Sequence, residues 1–71
     1  MRVTSMVREG RTYFYADGGR IFASQLAAQY GIGEARARNM LHAMADQGEI
    51  RSPMRWYREN VMRQPARREG A

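Results

Sequence analysis

The apolar positions along the chain change their period near residue 22. Before it, Val3-Thr4-Ser5-Met6-Val7 and Thr12-Tyr13-Phe14-Tyr15 are short runs rich in β-branched and aromatic residues, and they flank Arg8-Glu9-Gly10-Arg11. That arrangement predicts a β-hairpin. Met6, Val7, Gly10, Tyr13 and Phe14 also fall on one helical face, so an N-terminal helix competes. Gly10 costs such a helix about 1 kcal/mol relative to Ala, and we favour the hairpin. Asp17-Gly18-Gly19 is a turn in either case. Beyond Phe22 the period becomes helical. Leu26, Ala27 and Tyr30 share a face and predict a first helix over about 23–31, with Gly31 at its end. Ala37, Met40, Leu41 and Met44 follow at i, i+3, i+4 and i+7, predicting a second helix over 34–47. Glu34 in its first turn suits the helix dipole, and Gly48 stops it.

Two short helices joined this way meet the requirements of a helix-turn-helix. The first helix needs a small residue where the second packs, which is Ala27. A glycine must open the turn four residues later, which is Gly31. Ile32 seals the corner, Ala37 and Met40 stand five and eight positions further on, and Leu26 and Tyr30 complete the inner face. An ordinary helical hairpin with a glycine turn is the alternative. In a helix-turn-helix the second helix enters the major groove. Its outward face carries Ala35, Asn39 and His42, flanked by Arg36 and Arg38. Arginine suits guanine edges and asparagine suits adenine, so Arg36, Arg38, Asn39 and His42 are candidate DNA contacts.

The stretch after Gly48 has two readings. Ile50 and Trp56 fit paired strands around a Ser-Pro turn, a short wing that would set Arg51, Arg55 and Arg58 beside the DNA backbone. Alternatively Ser52 is a good N-cap and Pro53 a good first helical residue, with Met54, Tyr57 and Val61 lining a third helix. The helix-turn-helix context leads us to expect the wing through about Tyr57, with room for a short helix after it. Trp56 reads as a cover for the core. The expected fold is therefore α+β: a small winged helix-turn-helix domain over 1–63, with a flexible basic tail over 64–71.

Charge sharpens the functional expectation. The net charge is +5, and all 12 basic residues are arginine. They are unevenly spread. Residues 51–71 carry six Arg against two Glu, residues 1–11 carry three Arg against one Glu, and residues 12–50 carry three Arg against four acids. Basic ends around a near-neutral centre suit a polyanion, because neutralised phosphates release counterions. With 71 residues the core is thin, and there is no cysteine to staple it. No run approaches the roughly 18 apolar residues of a membrane span, and no leader-like segment opens the chain, so a cytoplasmic protein without a membrane role is expected.

Ala23 to Ile50 followed by Arg51-Ser52-Pro53 resembles the small winged-helix regulators of fimbrial operons, the PapI/FaeA-like family. The matching elements are Leu26-Ala27, Ile32, Ala37-Arg38, Leu41, Gly48, Ile50 and Arg51-Ser52-Pro53, a little under half the chain. The resemblance implies a DNA-binding transcriptional regulator, with Arg36, Arg38 and Asn39 on the DNA and a larger DNA-binding protein as partner.

Catalysis or metal binding would need convergent ionisable groups. The chain has one histidine and no cysteine. It carries no HExxH, P-loop or nucleophile-elbow motif, and Glu34, Asp46 and Glu49 do not form a ligand set. We therefore expect neither an enzyme nor a cofactor or metal. Two half-sites on double-stranded DNA would require a homodimer. The competing expectation is a small phage or mobile-element protein that occupies a host protein through the same fold, using adaptable methionines such as Met40, Met44, Met54 and Met62. A third is RNA binding by Tyr13, Phe14 and Tyr15, although Phe14 is better placed for a core.

Overall fold

The computed structural model describes residues 1–62, and the tail expected over 64–71 lies outside them. Three antiparallel strands come first: β1 (Val3–Arg8), β2 (Arg11–Ala16) and β3 (Gly19–Ile21), in the order β1-β2-β3. The helices α1 (Ala23–Tyr30), α2 (Glu34–Gln47) and α3 (Pro53–Tyr57) follow, and α3 widens into a π turn over Arg58–Met62. The domain is a small α+β fold.

The hairpin prevails over the helix at residues 1–20 because its turns are satisfied locally. Both strand connections are two residues long, and both place two successive residues at positive φ: Glu9 (51°) with Gly10 (77°), and Asp17 (51°) with Gly18 (88°). Such turns match the twist of the flanking strands and call for glycine at the second position. The strained Asp17 is held on both sides. Its N–H donates to Arg2 O at 2.8 Å, and its Oδ1 accepts from the Arg2 N–H at 2.8 Å. The second of these turns leads into β3, a strand that the turn signal of Asp17-Gly18-Gly19 does not by itself predict.

Pairing of Ser5 with Phe14 and of Phe14 with Ile21 sets which residues face inward. Val3 and Phe14 are buried on that face, while Met6, Tyr13, Tyr15 and Arg20 alternate to the other. The core joins Val3 and Phe14 to Leu26 of α1, to Ala37, Met40, Leu41 and Met44 of α2, and to Ile50 and Trp56. All four predicted apolar positions of α2 are buried. Ala37 is fully enclosed, so the small residue fits the contact closely.

The corner between α1 and α2 follows from one backbone choice. Gly31 sits at φ 69°, in the left-handed region, and both its N–H and that of Ile32 donate to Ala27 O. An L-residue with a side chain would be strained there, although nothing lies within 4 Å of a Cβ at that position. The first helix consequently closes at Tyr30, one residue before the expected end, with Gly31 as its cap.

The expected wing after Gly48 is absent, and a helix stands in its place. The segment around Ile50 does find a β-bridge, but with the N-terminus and through Glu49. Val3 N–H donates to Gly48 O at 2.7 Å, Ile50 N–H donates to Met1 O at 2.9 Å, and Arg2 bridges Glu49. Then Ser52 Oγ caps α3 by accepting from the Arg55 N–H at 3.2 Å, with Pro53 in the first helical turn. A cap of this kind contributes about 1 kcal/mol. A tight hairpin at Ser52-Pro53-Met54 would lack the glycine its turn needs. The helix also turns Trp56 inward, where its Nε1–H donates to Gln47 Oε1 at 3.0 Å. Trp56 thus covers the core as the sequence suggests, but from a helix.

Tyr57 of α3 stacks on Tyr30 of α1, with ring centroids 4.7 Å apart and planes 16° from parallel. Burial, followed by the neighbouring Tyr57 hydroxyl, raises the Tyr30 phenol above its ordinary value of 10.0. The charged phenolate is the disfavoured form, so the associated stability is fully present below pH 10 and is lost as pH rises through the raised pKa. Denaturation midpoints measured from pH 8 to 11 should fall at the alkaline end. Tyr30→Phe should flatten that fall, and an unchanged slope in the variant would place the titrating group elsewhere.

Candidate nucleic-acid interface

The buried stripe of α2 fixes what its other side presents. Arg36, Arg38, Asn39 and His42 are all exposed. At about 100° per residue, Arg36 and Arg38 fall on opposite flanks of the exposed side, with Asn39 between them. The sheet lies along the flank of Arg38. Arg38 lines an open concavity of about 590 Å³ together with Gly10, Arg11, Thr12, Tyr13 and Arg20. His42 leans the same way. Its ring meets Phe14 edge-on, with centroids 4.8 Å apart and planes at 88°. His42 therefore closes one rim of the core while remaining exposed to solvent.

The strand direction explains why the hairpin turn sits near the start of α2. Val3, at the beginning of β1, is bonded to Gly48 just past the end of α2. A six-residue strand and a fourteen-residue helix are each about 20 Å long. Running back along α2, β1 brings Arg8 to Arg11 towards the helix N-terminal half. Arg20 joins them from β3. Its Cζ lies 4.6 Å from the ring centroid of Tyr13 and 4.4 Å from that of Phe22. Such cation–π contacts contribute about 0.5–1 kcal/mol at exposed sites, and here they also fix where the guanidinium stands.

Arg11 and Arg20 are the residues the sequence reading missed. The signal for Arg11 lay in the basic charge of residues 1–11. For Arg20 it lay only in strand alternation beyond the Asp17-Gly18 turn, which requires β3 to be recognised.

Arg51, Arg55 and Arg58 are placed differently from expectation. Without a wing they follow α2 rather than returning beside it, at the far end of a helix roughly 20 Å long. Arg55 Nε donates to Glu59 Oε2 at 3.0 Å, an exposed i,i+4 pair on α3. Arg51 borders a hollow with Gln47, Glu49, Arg55, Trp56 and Glu59, in which two carboxylates offset the two arginines. Arg58 lies exposed in the π turn. These three are not gathered with Arg36, Arg38 and Asn39.

The electrostatics of the two ends differ accordingly. Among the described residues, Glu49 pairs with the Met1 amino group and Arg2, and Glu59 pairs with Arg55. No described carboxylate pairs with Arg11, Arg20, Arg36 or Arg38. The concavity that Arg11, Arg20 and Arg38 share has no acidic residue in its lining, although Glu34 lines an adjoining hollow with Arg20 and Arg38 without pairing with either. Phe14 is buried, so the aromatic run of β2 is split between core and surface. Among the described residues, no helix is long and apolar enough to cross a membrane.

No family model, curated protein or solved structure matches this chain.

Proposed function

We propose that the chain is a sequence-specific DNA-binding protein, with α1, the Gly31-Ile32-Gly33 turn and α2 acting as a helix-turn-helix. The N-terminal half of α2 enters the major groove. Arg36 and Asn39 reach base edges there, arginine towards guanine and asparagine towards adenine, while Arg38 stands on the flank nearer the sheet, beside the DNA backbone. The N-terminal hairpin, rather than a wing after α2, runs beside the recognition helix. The observation that carries this reading is the exposure of Arg36, Arg38 and Asn39 on one half of α2, with no described carboxylate paired to either arginine. Transcriptional regulation is the use of such a protein that its size and charge fit best.

The test is fluorescence anisotropy with a duplex from the upstream region of its own gene and with a scrambled duplex. Arg36→Ala or Asn39→Ala should cost about 1–3 kcal/mol on the preferred duplex and relax preference at one base position. Arg55→Ala, whose guanidinium is engaged by Glu59 at the far end of α2, should leave both duplexes nearly unchanged. Equal losses on both duplexes for Arg36→Ala and Asn39→Ala would exclude α2 as the reading element.

A further inference from the structure

We infer that Arg11, Arg20 and Arg38 form a phosphate clamp that holds the phosphodiester backbone of the nucleic acid next to α2; the assignment rests on the reading of this chain as a DNA binder. The three arginines come from three separate elements, β2, β3 and α2, and line one open concavity with Thr12 and Tyr13. Gathering three like charges without a carboxylate in the lining disfavours the folded state of the free protein. A ligand carrying several negative charges reverses that sign. Arginine is suited to the task, because its planar fork meets two phosphate oxygens at once.

Arg20 is held in advance of binding. Its contacts with the Tyr13 and Phe22 rings engage no hydrogen-bond acceptor, so the N–H donors remain available to phosphate oxygens. A side chain ordered before binding loses less entropy when it binds. The arrangement also accounts for Phe22, which stays 46% exposed at the start of α1 although the core is close by. The concavity is open, and the polar side chains of its lining are guanidinium donors and hydroxyls, which suits a passing backbone.

The experiment measures affinity against salt concentration for the full chain, for Arg11→Ala with Arg20→Ala, and for Phe22→Leu, which keeps the charge and removes a ring. Thermal melts confirm that each variant is folded. Two lost phosphate contacts should lower the slope of log affinity against log salt by about 2 and weaken preferred and scrambled duplexes by the same factor. Phe22→Leu should weaken both duplexes with the slope retained. Wild-type slope and affinity in the double variant would overturn the clamp and leave the assignment of α2 standing. If the wild-type chain binds no duplex at low salt, the reading of α2 fails, and the clamp is tested alone. Inorganic pyrophosphate titrated into isotopically labelled protein should then shift the Nε–Hε resonances of Arg11, Arg20 and Arg38, and unmoved resonances would overturn the clamp as well.

Discussion

Trp56→Ala is expected to destabilise the domain by about 3–5 kcal/mol, the range for removing a large aromatic from a core. Trp56 is 9% exposed, and it is the one tryptophan of the chain. Two costs combine. The indole leaves a cavity between α3 and the rest of the core. The Gln47 side chain also loses the indole N–H that donates to its Oε1. Proteins of this kind are stable by about 0.05–0.15 kcal/mol per residue, so a chain this long has a total of roughly 4–10 kcal/mol to lose. Trp56→Ala should therefore be largely unfolded at moderate urea concentrations. Trp56→Phe keeps most of the apolar volume and should cost about 1–3 kcal/mol, nearly all of it for lost packing, since the exposed Gln47 amide can turn to water. Since the substitution removes the intrinsic fluorophore, unfolding should be followed by far-ultraviolet circular dichroism. A loss under 1 kcal/mol for Trp56→Ala would mean that the ring does not sit in the core, and the helical reading of residues 53–57 would fail with it.

Leu41→Ala is expected to cost about 2–5 kcal/mol for a different reason. Leu41 is fully buried on the inner face of α2, the helix that packs on both α1 and β1. Its loss opens a void shared by the sheet and the helices, and neither layer can collapse without moving the other. Leu41→Met preserves volume and should stay under about 1.5 kcal/mol. The functional consequence separates folding from recognition. Leu41 faces away from Arg36 and Asn39, so, on the proposed DNA-binding reading, the folded fraction of Leu41→Ala should bind duplex DNA with wild-type affinity while the active fraction falls. Active-site titration against a tight-binding duplex gives the two quantities separately. A changed affinity in the folded fraction would show that the core residue also sets the orientation of α2 on DNA.

The two arginine sets illustrate how position outweighs composition. The chain puts six arginines after residue 50 and three in its first eleven residues. Counting alone favours the C-terminal stretch as the phosphate-binding region. The structure gives Arg55 the carboxylate of Glu59 and brings Arg51 into a hollow with Glu59 and one more acid, Glu49, whereas Arg11, Arg20 and Arg38 line a concavity with no carboxylate in its lining. Coulomb interactions fall with distance and are screened beyond about 10 Å, so what matters is which charges are neighbours.

Local physics made part of this fold legible in the sequence. The period of Ala37, Met40, Leu41 and Met44 specified the inner face of α2, because a helix can bury only one stripe. Gly31 specified the end of α1, because the left-handed turn penalises any side chain. The hairpin was legible from two apolar runs around Glu9-Gly10, and the exposure of Arg36, Arg38 and Asn39 follows from the same stripe that buries Leu41. What local pattern left open was settled by contacts between residues far apart in the chain. At residues 52–57 a wing and a helix each had local support, and the helix prevailed because it sets Trp56 against Gln47 and Tyr57 against Tyr30 while Ile50 is paired with Met1. The third strand depended on its register with β2. The meeting of Arg11, Arg20 and Arg38 depended on β1 running back along α2. A sequence states which residues can be buried or charged; their grouping into one site is decided by packing, since it requires elements distant in the chain to lie side by side.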